Sequence, residues 1–474
     1  MLAPLASDEW SLDHAAHLLG RAGFGGTPEQ IRAFHALGLD AAVNQLLGAR
    51  DNRPPAPDWT KEPGALKRQT MMEMRPAADP DAKKAAIRDA MREERQRLVE
   101  LRTWWLQRMR VSGQPLREKM TLFWHGHFAT SVTKVKSAWA MWRQNETLRE
   151  NALGNFGAMV RAMARDPAMI RWLDLQQSKV GAPNENFARE VMELFTLGVG
   201  HYTEADVKAG ARAFTGHRVT PLGQEFVFAR RAHDYGPKTF LGKTGNFDGD
   251  AVIDIILEQP QCARFIAGRL WEFFAYENPE PGQLDAAAYS LFRGGYELAP
   301  FLGELFRSRA FYSPRAMGTH IKSPVEWLVG MCIDLETDLP GQPLLDGVLG
   351  QLGQSLFQPP NVRGWEGGRA WISSSTLILR YNFAGFLVGS ADPAARKLFA
   401  RRFAAPVDIG KLAPPPLRAQ PDAFAEALAF RLYGSERSRP RTAAAIAEAG
   451  RPINDPRARA IFQRLMSTPE YQLS

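Results

Sequence analysis

The sequence predicts a mostly α protein, a large multi-helix body carrying a small irregular or β insert. Three observations lead there. Apolar residues recur at three- and four-residue spacing through most of the chain. Helix-start and helix-stop residues bracket such segments, as with Thr27-Pro28 at one start and Gly198 at one end. Only one stretch, Val219 to Arg230, alternates as a strand does, with Phe226 and Phe228 in step.

The elements follow in order. Ser11–Gly20 and Thr27–Leu37 read as short helices, Thr27 capping the second with Pro28 at its first position and Gln30 three residues on. The glycine-rich turn between them, Gly20 to Gly26, lacks the Lys and Ser/Thr of a phosphate loop and follows no strand. Asp51–Gly64 is Pro-rich and polar, so it is a loop. Asp79–Arg110 reads as one long helix, charged in its first half and apolar from Leu98 through Leu106. Such a helix projects from the body and then docks on it. A helix after Pro115 runs to a histidine pair, and Asn184–Gly198 reads as a single helix. Asp248 or Asp250 caps a helix starting near Ala251. The expected organisation is an N-terminal helical segment at 1–50, a linker at 51–78 and a main helical domain at 79–390 with its insert near 217–248. A basic helical segment at 391–474 packs on that domain.

At 474 residues and 45% hydrophobic, the chain can bury a sizeable core, which excludes wholesale disorder. The net charge of +8 is modest. C-terminal arginines such as Arg401, Arg402, Arg437 and Arg439 are scattered without interleaved aromatics, an arrangement that argues against nucleic acid. Cys262 and Cys332 sit in apolar helical patterns and read as small buried hydrophobes. No apolar run is long enough for a transmembrane helix, and Met1–Trp10 shows no secretory signal. As written the chain is expected in the cytoplasm; a start assigned too far downstream would make it periplasmic or exported.

Four clusters could carry chemistry. In the Asn184–Gly198 segment, Glu190 and Glu193 fall near one helix face, close to Asn186, and can ligate a cation or divide acid and base roles. Glu185 and Arg189 form an i,i+4 pair on another face. A structural salt-bridge network is the competing reading. His125 and His127 would diverge on a helix, so they share a metal only if the helix ends at Gly126 or the segment is extended. His233, Asp234 and Lys238 suit acid/base work beside an anion, or a well-bonded loop. Pro359–Trp371 carries Trp365 and Trp371 among glycines, prolines and arginines, a platform for sugar rings or peptide strands, or a cap on the core. No nucleophile elbow appears.

Taken together, the text of Leu18–Gly25, Phe123–Ser131, Asn184–Gly198, Ala213–Gly216, His233-Asp234 with Lys238, Ile321–Glu326 and Pro359–Trp371 resembles the bacterial domain of unknown function 1800 family, over roughly residues 10 to 385. His217 stands where the pattern leads one to expect Trp. The resemblance implies a family without an established reaction. It also implies a setting, because relatives are often encoded beside a sulfatase-like, exported family (domain of unknown function 1501).

Three functional readings stand open on this basis. One is an enzyme of envelope or extracellular-polysaccharide metabolism, with Glu190, Glu193, His125, His127, His233 and Asp234 catalytic. Asn184, Asn186, Arg189, Lys238, Trp365 and Trp371 would bind its carbohydrate or anionic ligand. The second is a non-catalytic helical scaffold or partner of a sulfatase-like protein. The third is a divalent-metal protein with Glu and His ligands.

Overall fold

The computed structural model describes residues 2–48, 54–62, 69–71, 80–220, 222–342, 344–390 and 407–474. Arg401, Arg402 and most of the 51–78 linker lie outside them. The chain is mostly α, and its described residues form two small two-stranded sheets inside the expected insert. His217–Val219 pairs antiparallel with Phe226–Phe228, and Lys238–Phe240 with Lys243–Gly245.

Local chemistry sets many of the helix ends. Thr27 accepts from the Gln30 amide while the Gln30 side chain reaches back to the Thr27 amide, closing a capping box on Pro28–Ala36. Asp248 caps Gly249–Leu257 through the Ala251 amide. The long helix runs Pro80–Val111, its first half exposed and its second half buried through Leu101, Trp104, Trp105 and Met109. Cys262 and Cys332 are both buried free thiols.

Among the described residues the helices enclose two hydrophobic cores. The first joins the N-terminal helices to Phe156–Ala164, Gly249–Leu257, Pro260–Phe274 and Leu298–Arg307. The second joins the end of Pro80–Val111 to Pro324–Asp334, Ser374–Val388 and the C-terminal helices Pro421–Tyr433 and Asp455–Met466. Pro115–His127 belongs to both. It gives Leu116, Met120, Phe123 and Trp124 to the first core and Leu122 to the second. A helix walled on both sides cannot send its polar groups to water, so they must be paired in place. Glu118 meets Arg108 at 2.5 Å and Arg149 at 2.9 Å, and accepts from the Trp105 indole at 3.0 Å. Lys119 pairs with Glu326. No described helix is long and apolar enough to cross a membrane.

Candidate functional site

The helix Pro115–His127 continues through both histidines, so their side chains diverge. The condition for joint metal ligation by His125 and His127 is therefore not met. His125 Nε2 accepts from the Phe357 amide at 2.9 Å. His127 Nε2 lies 3.0 Å from the Phe195 carbonyl, which can only accept, so the imidazole donates. Burial pushes both imidazoles down to about 3, with Arg102 acting the same way on His125 and Arg269 on His127. Both rings are neutral at pH 7, and each ties a distant backbone segment to the shared helix.

One such segment is the acidic stretch, which departs from the single helix expected. It is α-helical over Asn186–Glu190 and then widens to a π-helix over Val191–Thr196. The wider turn rotates each residue less, so Glu193 falls further from Glu190 than α geometry would place it. Burial and then Glu193 push the Glu190 carboxyl above its usual range, against Arg363 and Arg189. Glu193 accepts from the Tyr202 hydroxyl at 2.6 Å and lies 3.5 Å from the Arg363 guanidinium. Arg189 forks onto Glu204 at 2.7 and 2.8 Å and touches Glu185 at 3.4 Å. Asn184 caps locally onto the Asn186 amide, and the Asn186 side chain reaches the Leu173 carbonyl at 3.4 Å.

His233, Asp234 and Lys238 gather at the far end of helix Glu204–Ala213. His233 Nδ1 meets the Thr215 carbonyl at 2.9 Å. Asp234 takes a bidentate grip from Arg212 at 2.7 and 3.1 Å. The ammonium of Lys238 is used on the carbonyls of Asp234 at 2.6 Å and Gly236 at 3.0 Å. Among the described residues, no hydrogen bond, ion pair or ring contact joins this trio to Glu190, Glu193, His125 or His127.

The 359–371 loop does come together with part of the rest. Gly364 adopts φ +79°, and a Cβ there would sit 2.3 Å from the Gly126 carbonyl oxygen. Only glycine allows that approach. On one side of it Arg363 reaches Glu193; on the other the Trp365 ring lies 5.7 Å from His125. Gly364→Ala is expected to lower stability by more than about 1 kcal/mol and to release Trp365, seen as a change in tryptophan fluorescence before global unfolding. An unchanged spectrum would contradict this anchoring.

Trp365 and Trp371 wall a cleft of about 590 Å³ between the two cores. Within it lie His127, Arg269, Glu272, Tyr276, His320 and Glu326. That volume is typical of a small-ligand site, and mixed aromatic and charged walls suit a polar ligand with flat apolar faces. Burial raises the Glu272 carboxyl, opposed by Arg269 and aided by Glu277. His320 Nε2 lies 3.1 Å from Glu326 Oε2. Burial would raise the Glu326 carboxyl, yet Lys119, His320 and Arg21 hold it well below the usual range. An ionised carboxylate only accepts, so His320 donates from Nε2 and Nδ1 carries the lone pair. Burial and Arg21 push that imidazole down to about 4, against Glu326.

Sequence reasoning missed Glu272 and His320. Glu272 hides in an ordinary amphipathic helix, Pro260–Phe274. His320 sits in an irregular segment with no periodic signal. The one readable sign nearby was Ser323-Pro324-Val325-Glu326, a capping-box pattern that the structure realises. Among the described residues, no three His, Cys, Asp or Glu side chains are grouped as a metal site requires.

Fold and cleft together define a class: a mostly helical protein with two cores and a polar, tryptophan-walled cleft where they meet. The chain belongs to the family described as protein of unknown function (DUF1800), whose profile matches residues 17–473. The match therefore runs beyond the motifs ending near 385 and takes in the C-terminal helices. No curated protein and no solved structure matches the chain.

Proposed function

We propose that the protein is an enzyme that hydrolyses a sugar-based polymer in the cleft between its two cores. The observation that supports this most is that Glu272, with its raised carboxyl, shares one cleft with His320 and the two tryptophans. Glu272 can hold a proton for a leaving oxygen, and neutral His320 can take one from the attacking water. Water then supplies the hydroxyl to the sugar carbon and, in balance, the hydrogen to the departing oxygen. Glu326, backed by Lys119, orients His320 much as a carboxylate orients a catalytic imidazole. The Glu190–Glu193 pair with Arg363 lies across the same loop from Trp365 and would bind the polymer further along. His125 and His127 hold the loop and the π turn in position, while His233, Asp234 and Lys238 shape the insert. Envelope or extracellular polysaccharide is the substrate class that the family resemblance adds.

The test is release of reducing ends from a panel of neutral and acidic polysaccharides. Turnover should fall about a hundred-fold or more in Glu272→Gln, with an unchanged melting temperature. A Glu272→Gln variant as active as the wild type would remove Glu272 from the reaction.

A second reading, a non-catalytic glycan-binding scaffold, is favoured by one observation. His125, His127, His233 and Lys238 are all committed to backbone groups. Glycan binding without turnover, equal in wild type and Glu272→Gln, would select it.

A further inference from the structure

We infer that the β insert carries a docking surface for an anionic lipid bilayer, separate from the cleft. Its apolar part is Val180, Phe228 and Tyr235, which are 50%, 37% and 60% exposed. They come from two segments that the fold ties together. The Val180 amide donates to the Ala232 carbonyl at 2.8 Å. The Phe228 ring lies 5.2 Å from His233, and His233 lies 4.6 Å from Tyr235. Large apolar side chains that are exposed and drawn together in this way mark an interaction surface more often than singly scattered ones do.

Charge identifies the partner. Lys179, Arg230 and Arg231 flank these side chains, are all exposed, and form no ion pair among the described residues. The neighbouring arginines are committed, Arg212 to Asp234 and Arg218 to the Ser178 and His217 carbonyls. The exposed acid on the same hairpin is Glu225, which leaves the patch cationic. An apolar patch beside exposed, unpaired cations matches a bilayer: anionic headgroups meet the cations while the rings enter the headgroup boundary. Tyrosine suits that boundary, with an apolar ring and a polar end. An acidic protein surface would satisfy the cations but would need an apolar patch of matching shape to cover the three side chains, which a bilayer supplies without one.

The full-length protein should co-sediment with vesicles of phosphatidylcholine containing phosphatidylglycerol, and not with pure phosphatidylcholine. Two double variants separate the parts: Val180→Ser with Tyr235→Ser, and Arg230→Gln with Arg231→Gln. Each should weaken vesicle binding about ten-fold or more, with an unchanged circular-dichroism spectrum. Three results overturn the inference. One is no binding to the anionic vesicles. Another is equal binding to both kinds of vesicle. The third is binding that only the arginine variant loses and that soluble heparin abolishes, which would assign the patch to an acidic macromolecule.

Discussion

Replacing Glu118 with Ala is expected to lower the unfolding free energy by about 3–5 kcal/mol at neutral pH. Glu118 is fully buried, and two guanidiniums that are themselves 1% and 2% exposed converge on it. Burial alone would raise its carboxyl, but Arg149 and Arg108 prevail and hold it below the usual carboxylate range. Removing the carboxylate leaves Arg108 and Arg149 charged and confined between two cores; Glu146 still pairs with Arg149, but water cannot replace the carboxylate that the two guanidiniums shared. The Trp105 indole loses its acceptor as well. Urea denaturation of wild type and variant, compared at equal slope, measures the effect. A loss below about 1 kcal/mol would mean that water reaches the guanidiniums and that the shared helix is less enclosed than its contacts indicate.

Acid should destabilise the protein well before ordinary carboxylates titrate. His17, His125 and His127 are buried and pushed down to about 3, chiefly by burial. In the unfolded chain each returns to an ordinary value near 6.5. Between those limits the unfolded state binds more protons than the folded state, so stability falls as pH falls. The loss begins near pH 6.5, grows by about 1.4 kcal/mol per pH unit for each histidine, and reaches at most about 5 kcal/mol apiece near pH 3. Asp166 and Asp334 work the other way. Burial raises both to about 6, so the folded state holds the extra protons between the usual aspartate value and pH 6. His217 and His320, pushed down to about 4, act in the same direction as the three histidines, so two carboxyls offset the imidazoles only in part, and little above pH 6. Denaturation midpoints should therefore stay nearly level between about pH 7.5 and about pH 6.5 and drop between about pH 6.5 and about pH 5.5. His125→Gln should flatten the slope by about one proton. A midpoint independent of pH would show that these imidazoles protonate in the folded state.

Much of the fold is legible in the sequence because its signals are short-range. Apolar spacing places the helices, and Thr27 and Asp248 cap where their neighbours say they should. The Phe226 and Phe228 alternation locates the insert. The change of helix type at Val191 is not legible, because its Phe195 carbonyl is held by His127, 68 residues away. The fate of the histidines is hidden for the same reason. Residue type marks His125 as chemical, but its partner is the amide of Phe357, 232 residues further on.

The helical class, the insert, the family and the loop bearing Trp365 and Trp371 can all be read from the order of residues. Tertiary structure alone decided which polar groups share a cleft. It brought Glu272, His320 and Glu326 to the two tryptophans, tied His233 and Asp234 into the insert, and enclosed Glu118 between two arginines. The physical reason is that capping and periodicity act within a turn or two of the chain, whereas burial and charge pairing depend on which distant segments pack together.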